Sequence, residues 1–310
     1  MVPTLPIYKF PARCGFVLCA LAVLLFGSSV SFADELDKKV VVCSTTQVAD
    51  FARQVVGDRW EVICVLGPAE DPHTYEVGAD DSVTVSKADL CAENGWNLEG
   101  HDWMKTLAKE AGKPIVTCVE GVEPLQMQEG EHTVKDPHTW FDPKSAIIYV
   151  NNIRDAVIKI DPDHADEYKA RAELYVRQLG LLAGWVKKTV GAIPANQRLL
   201  VTHHDAFGYF CRAFNFQPMS PLGWTTADFS EVTPEQRQQV VNKVRELGVR
   251  AIFVETSASE QLLKGIARDA GLEIGSELYS DAMGPAGSAS ESYIGLMREN
   301  VFTIVNELKK

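Results

Sequence analysis

The chain has 310 residues, with 30 basic against 42 acidic side chains and a net charge of −12. An acidic balance argues against nucleic acid and against an anionic membrane surface as partners, and it suits cations without locating a site for them. The length is too great for one small core and comfortable for two lobes.

Residues 1–33 differ in kind from the rest. Lys9 and Arg13 supply a positive start, Phe16 to Phe26 is almost wholly apolar, and Ser31-Phe32-Ala33 offers small residues at the −3 and −1 positions. This is the pattern of a cleavable signal peptide, with cleavage expected after Ala33. The apolar run is about half the length needed to span a bilayer. Cys19 follows Phe16-Val17-Leu18, which makes no convincing lipobox. The expectation is a soluble, periplasmic protein whose net charge moves from −12 to −14 once Lys9 and Arg13 are removed. Cys43, Cys64, Cys91, Cys118 and Cys211 remain, an odd number without any Cys-x-x-Cys spacing. They read as buried thiols acting as small apolar residues rather than as a zinc or redox centre.

Short apolar runs then alternate with amphipathic stretches. Strands are expected at Lys39 to Cys43, Trp60 to Leu66, up to Cys91 before Asn94-Gly95, and Pro114 to Val119; helices are expected at Val48 to Val56 and Trp103 to Ala111. Such alternation predicts a parallel sheet with helices on its faces. Asp161-Pro162 opens a long helical segment that runs to about Val190, on the order of 40 Å at 1.5 Å per residue. Alternation resumes with strands at Arg198 to Thr202, Arg250 to Glu255 and Glu273 to Tyr279, and helices at Pro234 to Glu246, Glu260 to Ala270 and Tyr293 to Leu308. The predicted fold class is α/β: an N-terminal lobe (34–160), a single connecting helix (161–191) and a C-terminal lobe (192–310), with a cleft between the lobes. Clefts at the carboxyl ends of parallel strands are where such sheets bind ligands.

Two stretches are nearly identical, Asp71-Pro72-His73-Thr74-Tyr75 and Asp136-Pro137-His138-Thr139-Trp140. Proline fixes its own φ and restricts the residue before it, so each histidine leaves a stiffened turn. Two such imidazoles in matched settings point to a metal ion. His203-His204 follows one expected strand end and Asp281 follows another. Only one of the adjacent histidines can readily face the cleft, and periodicity does not choose between them. Asp281 alone reads equally as a ligand or a helix cap. Three imidazoles and a carboxylate suit zinc when the carboxylate binds through one oxygen, and manganese or iron(II) when both oxygens reach the metal. Asp71 and Asp136 are candidates to accept from a ligand ring N–H or to shape the turn, and Glu255 or Asp205 to supply further negative charge.

These residues carry a family resemblance. Asp71 to Tyr75, Asn94-Gly95 with Leu98-Glu99, Asp136 to Asp142, Val201 to Phe210, Ile252 to Glu255 and Glu277 to Gly284 resemble the zinc/manganese, TroA-like branch of ABC-importer substrate-binding proteins. The resemblance covers the whole mature chain. It implies two α/β lobes joined by one rigid helix, and His73, His138, His204 and Asp281 as ligands of a transported Zn2+, Mn2+ or Fe2+. It selects His204 over His203 because the ligand precedes Asp-Ala-Phe-Gly-Tyr. It also implies delivery by a monomer to a membrane permease with its cytoplasmic ATPase, without catalysis. Zinc-specific relatives often carry a histidine-rich loop before the second motif, whereas Pro124 to Lys135 has only His132. The competing classes are a zinc hydrolase, which lacks a His-Glu-x-x-His signature here, and a surface adhesin with a structural metal.

Overall fold

The computed structural model describes residues 38–129, 132–220, 233–256 and 260–309. The signal segment expected at 1–33 lies outside them. Among the described residues no helix is long and apolar enough to cross a membrane.

The N-terminal half is built on four parallel strands in the order β2-β1-β3-β4. They are β1 (Lys39–Cys43), β2 (Trp60–Cys64), β3 (Leu90–Glu93) and β4 (Ile115–Thr117). Helices α1 (Thr46–Val56), α2 (Ala79–Ser86) and α3 (Trp103–Glu110) follow the first three strands. Thr45 caps α1 by accepting from the Val48 amide. β2 is shorter than the expected Trp60 to Leu66 because its partner ends at Cys43, in register with Cys64. Two further bonds, Val65 N–H to Cys43 O and Leu66 N–H to Ser44 O, carry the chain onward. An antiparallel hairpin not foreseen from sequence, β5 (Gln126–Glu129) and β6 (His132–Lys135), precedes the second Asp-Pro-His turn.

The long helical region is two helices. α4 (Pro143–Ile160) is capped by Asp142, with proline in its first turn, and α5 (Ala165–Val190) follows a short 3-10 turn at Pro162–His164. Asp161 therefore ends α4 instead of capping the connecting helix, at φ −131° and ψ 71°. The cause is Pro162, which excludes its predecessor from helical geometry and has no N–H to give. Asp161 is held there by His164 Nδ1, 2.9 Å away, and by the Tyr168 hydroxyl. Acidic Asp166 and Glu167 open α5 and basic Lys187 and Lys188 close it, matching the helix dipole.

In the C-terminal half β7 (Leu199–Val201) pairs in parallel with β8 (Gln217–Met219), with α6 (Gly208–Phe214) between them. Helices α7 (Pro234–Glu246), α8 (Glu260–Ala270) and α9 (Tyr293–Leu308) follow. The strands expected at Arg250 to Glu255 and Glu273 to Tyr279 are only isolated parallel bridges, Val201 to Ile252, Ile252 to Ile274 and Glu255 to Leu278. Gly275 still donates its N–H to Ile252 O at 2.9 Å, and it packs so close to the Phe253 ring that a Cβ would stand 3.2 Å from it.

One apolar cluster joins both halves. Phe51 of α1 is fully buried against Tyr149 of α4, Tyr175 of α5 and Tyr293 of α9, with centroids 5.7, 6.3 and 4.9 Å away. Residues 38–310 cluster as one compact unit. The five cysteines are free, and all but Cys64 are buried, as their apolar settings predict.

Candidate metal centre

Each candidate donor stands on a loop that leaves a strand or precedes a helix. His73 lies between β2 and α2, His138 between β6 and α4, His204 between β7 and α6, and Asp281 before α9. The fold brings all four together, with one possible ligand atom from each within 4.8 Å of the others. His203 is not part of this group. His101 and His132 are exposed, and His164 is occupied by Asp161.

His73 Nε2 is 3.2 Å from His138 Nε2. Asp281 Oδ2 is 3.2 Å from His204 Nε2, and its Oδ1 is 3.6 Å from His138 Nε2. The three ring centroids are 5.2 to 5.9 Å apart. Donors about 2.0–2.1 Å from a tetrahedral ion are about 3.3–3.4 Å from one another. The observed spacings bracket that edge. His138, His204 and Asp281 are at most 1% exposed, while His73 is half-buried.

The two aspartates of the repeated motif shape their turns identically, each taking the backbone N–H of the histidine two residues on at 2.9 Å. This is the side-chain turn for which aspartate is favoured. They then differ. Asp136 Oδ1 also lies 2.8 Å from His138 Nδ1, whereas Asp71 Oδ2 accepts from the Thr74 hydroxyl at 3.1 Å. Glu255 accepts the His204 backbone N–H at 3.0 Å, as Asp136 does for His138, and its Oε2 stands as an ion-pair partner 2.6 Å from Nδ1. A carboxylate on Nδ1 keeps the proton there and leaves Nε2 as the free donor.

Electrostatics divides the histidines. Loss of water around the His73 ring, reinforced by repulsion from His138 and His204, lowers its pKa to about 3 despite Asp281. Burial also opposes charge on His204, but Glu255 and Asp281 together outweigh it and hold that ring well above the ordinary histidine value. Asp281 is likewise buried, yet the three surrounding histidines hold its carboxyl well below the usual range. Asp71 is pushed up to about 6 by burial and by Asp281. Asp205 is raised by burial and by Asp136.

The loop carrying Asp281 is held from across the molecule. Gln47 Nε2 donates to Ser280 O at 3.2 Å, and the Met283 N–H donates to Thr46 Oγ1 at 2.9 Å. Sequence reading missed both residues, because polar side chains in a helix's first turn look like ordinary surface. Glu93, unexplained by the sequence, is buried between Lys105 Nζ at 3.2 Å and the Thr117 hydroxyl at 2.6 Å.

Comparison with known proteins agrees with this architecture. Residues 41–307 match the family model described as zinc-uptake complex component A, periplasmic. The manganese-binding lipoprotein MntA of Halalkalibacterium halodurans is 32% identical over 299 residues, covering 95% of this chain and 98% of that protein. The solved structure of the periplasmic zinc-binding protein TroA from Treponema pallidum superposes with a TM-score of 0.80 at 31% identity, covering 88% of this chain and 99% of its own. An Mn-bound periplasmic metal-binding protein from Candidatus Liberibacter asiaticus gives 0.76 at 26% identity, covering 87% and 100%. MntA and several other relatives are named as lipoproteins, so the expectation of no lipobox is not borne out by them. The chain belongs to the zinc-uptake component A family, the metal-binding substrate-binding proteins of ABC transporters, which are receptors and not enzymes.

Proposed function

We propose that His73, His138, His204 and Asp281 together hold one divalent transition-metal ion, captured outside the cytoplasmic membrane and passed to an ABC permease with its cytoplasmic ATPase. The observation that carries this reading is the convergence of three imidazoles and a carboxylate within 4.8 Å. All four donors come from one chain, so a monomer in peripheral contact with the membrane complex is sufficient. Four protein donors complete a tetrahedral shell and leave no position for a reacting water.

Zinc and manganese are the metals that relatives are named for binding, and iron(II) suits the same donors. Asp281 faces the centre with both oxygens, one toward His138 and one toward His204. Two-oxygen binding raises the coordination number and favours manganese; one-oxygen binding favours zinc. The lobe division at 34–160, 161–191 and 192–310 belongs to the same reading, with the boundary helix beginning at Ala165. Titrating metal-stripped protein with Zn2+ or Mn2+ tests it. One ion per chain, lost in His138→Ala, is the expected result; equal uptake by both proteins overturns it.

A further inference from the structure

The stretch from Asn94 to Gly100 contributes none of the four donors, yet it has the build of a functional element. Trp96, Asn97, His101 and Asp102 all have left-handed φ, at 53°, 62°, 59° and 52°. Non-glycine residues seldom adopt this geometry, and such strain persists only where surrounding structure enforces it. The start of the stretch is gathered by Glu99, 1% exposed. Its carboxylate gathers the Asn94 N–H at 2.7 Å, the Gly95 N–H at 3.1 Å and the Ser44 hydroxyl at 2.6 Å.

Two hydrogen bonds leave this loop for the two repeated turns. The Gly100 N–H donates to Pro72 O at 3.3 Å, and Asn94 Nδ2 donates to Pro137 O at 3.1 Å. These are the carbonyls of the prolines immediately before His73 and His138. Asn94 is itself held by the Tyr149 hydroxyl on its Oδ1 at 2.5 Å, and Tyr149 is 2.6 Å from the Thr139 hydroxyl beside His138. Gly100 is pressed against the other turn, where a Cβ would stand 2.3 Å from His73 O. One rigid loop therefore grips both turns at equivalent atoms.

We infer that the Asn94–Gly100 loop is a brace that sets the spacing between His73 and His138, and through it the size of the cation the centre accepts. Asn94 and Gly100 are positioning residues; neither touches the ion. The inference rests on the metal-binding reading proposed above. The braced pair, 3.2 Å between Nε2 atoms, matches a small four-coordinate ion. Loosening it costs such an ion more than one with longer bonds and a higher coordination number.

The test measures dissociation constants for Zn2+ and for Mn2+ by chelator competition in wild type, Gly100→Ala, Asn94→Ala and His73→Ala. Co2+ absorption spectra and metal-free melting curves are recorded for each. In both brace variants Zn2+ affinity should fall about 10- to 100-fold, the range seen when groups that orient metal ligands are removed. Mn2+ affinity should fall less, the Co2+ bands should shift, and one ion per chain should remain. Should Gly100→Ala fail to fold, Asn94→Ala carries the test, since it removes the side-chain hydrogen bonds to Pro137 O, Gly95 O and the Tyr149 hydroxyl and adds no bulk. Wild-type constants and Co2+ bands in the brace variants, with the ion lost from His73→Ala, overturn the brace and leave the metal centre standing. Equal weakening of both ions with unchanged Co2+ bands also overturns it. A wild-type protein that holds no ion removes both readings.

Discussion

Glu255 meets His204 twice, at the backbone N–H (3.0 Å) and at ring Nδ1 (2.6 Å), although 51 residues separate them. The pair is fully enclosed, so neither group has water to replace the other. Glu255→Gln keeps the shape but places an amide where a carboxylate oriented the ring. Metal affinity should fall about 10- to 100-fold. Asp205→Asn, at a residue that makes no such contact with a ligand ring, should change affinity much less. Isothermal titration of both variants distinguishes them, and equal effects would show that net charge, not ring orientation, is what matters.

Metal uptake should release a proton near neutral pH. His73 is already neutral there, its pKa being about 3. His204, held well above the ordinary value, carries a proton in the metal-free protein and must lose it to ligate. Affinity should therefore fall about tenfold per pH unit on acidification through the neutral range. Titrations in buffers of different ionisation enthalpy measure this, and uptake without proton release contradicts it.

The same groups predict the metal-free protein's response to acid. A histidine whose pKa is depressed in the fold favours folding above its unfolded value of 6.5, and that contribution is lost as pH falls from 6.5 toward 3. His204 has the opposite sign, contributing fully below 6.5 and losing that contribution as pH rises through its elevated folded value. Urea melts at several pH values, comparing wild type with His73→Ala, should show the variant losing less stability between pH 6 and pH 4. A wild-type slope in the variant would assign that acid loss elsewhere.

Phe51 is one apolar link between the halves. Phe51→Ala should cost about 3–5 kcal/mol, read from urea melts, because rings from α4, α5 and α9 surround the cavity it leaves. A loss below 1 kcal/mol would show that these rings collapse into the space.

Thr46→Val leaves the buried Met283 N–H without its acceptor and should cost about 1–3 kcal/mol. Because Met283 lies two residues from Asp281, metal affinity should weaken as well. Unchanged affinity in the folded variant would show that Gln47 alone suffices to hold this loop.

Much of this arrangement is legible in the residues. β1, α7, α8 and α9 fall where apolar periodicity places them; the repeated Asp-Pro-His turns mark His73 and His138, while the choice of His204 over His203 and the inclusion of Asp281 come from the family resemblance. What escapes is set by long-range contact. Asp161-Pro162 looks like a helix start, but nothing local says that α4 ends directly against it. The runs at 250–255 and 273–279 have strand composition, yet they meet only at isolated bridges, a register that local composition does not encode. Asn94-Gly95 and Leu98-Glu99 are visible as a motif, but their grip on Pro72 and Pro137 appears only when chain segments up to 43 residues apart meet. Glu255 is visible only as a charge; its bond to the His204 backbone depends on how two C-terminal segments align.

The most direct test of the central claim is elemental analysis of the protein recovered from its own compartment, beside His73→Ala/His138→Ala prepared identically. The account predicts about one transition-metal ion per chain in the first, for a single four-donor site, and none in the second. Equal metal in both, or none in either, would mean that the paired Asp-Pro-His turns serve the fold alone.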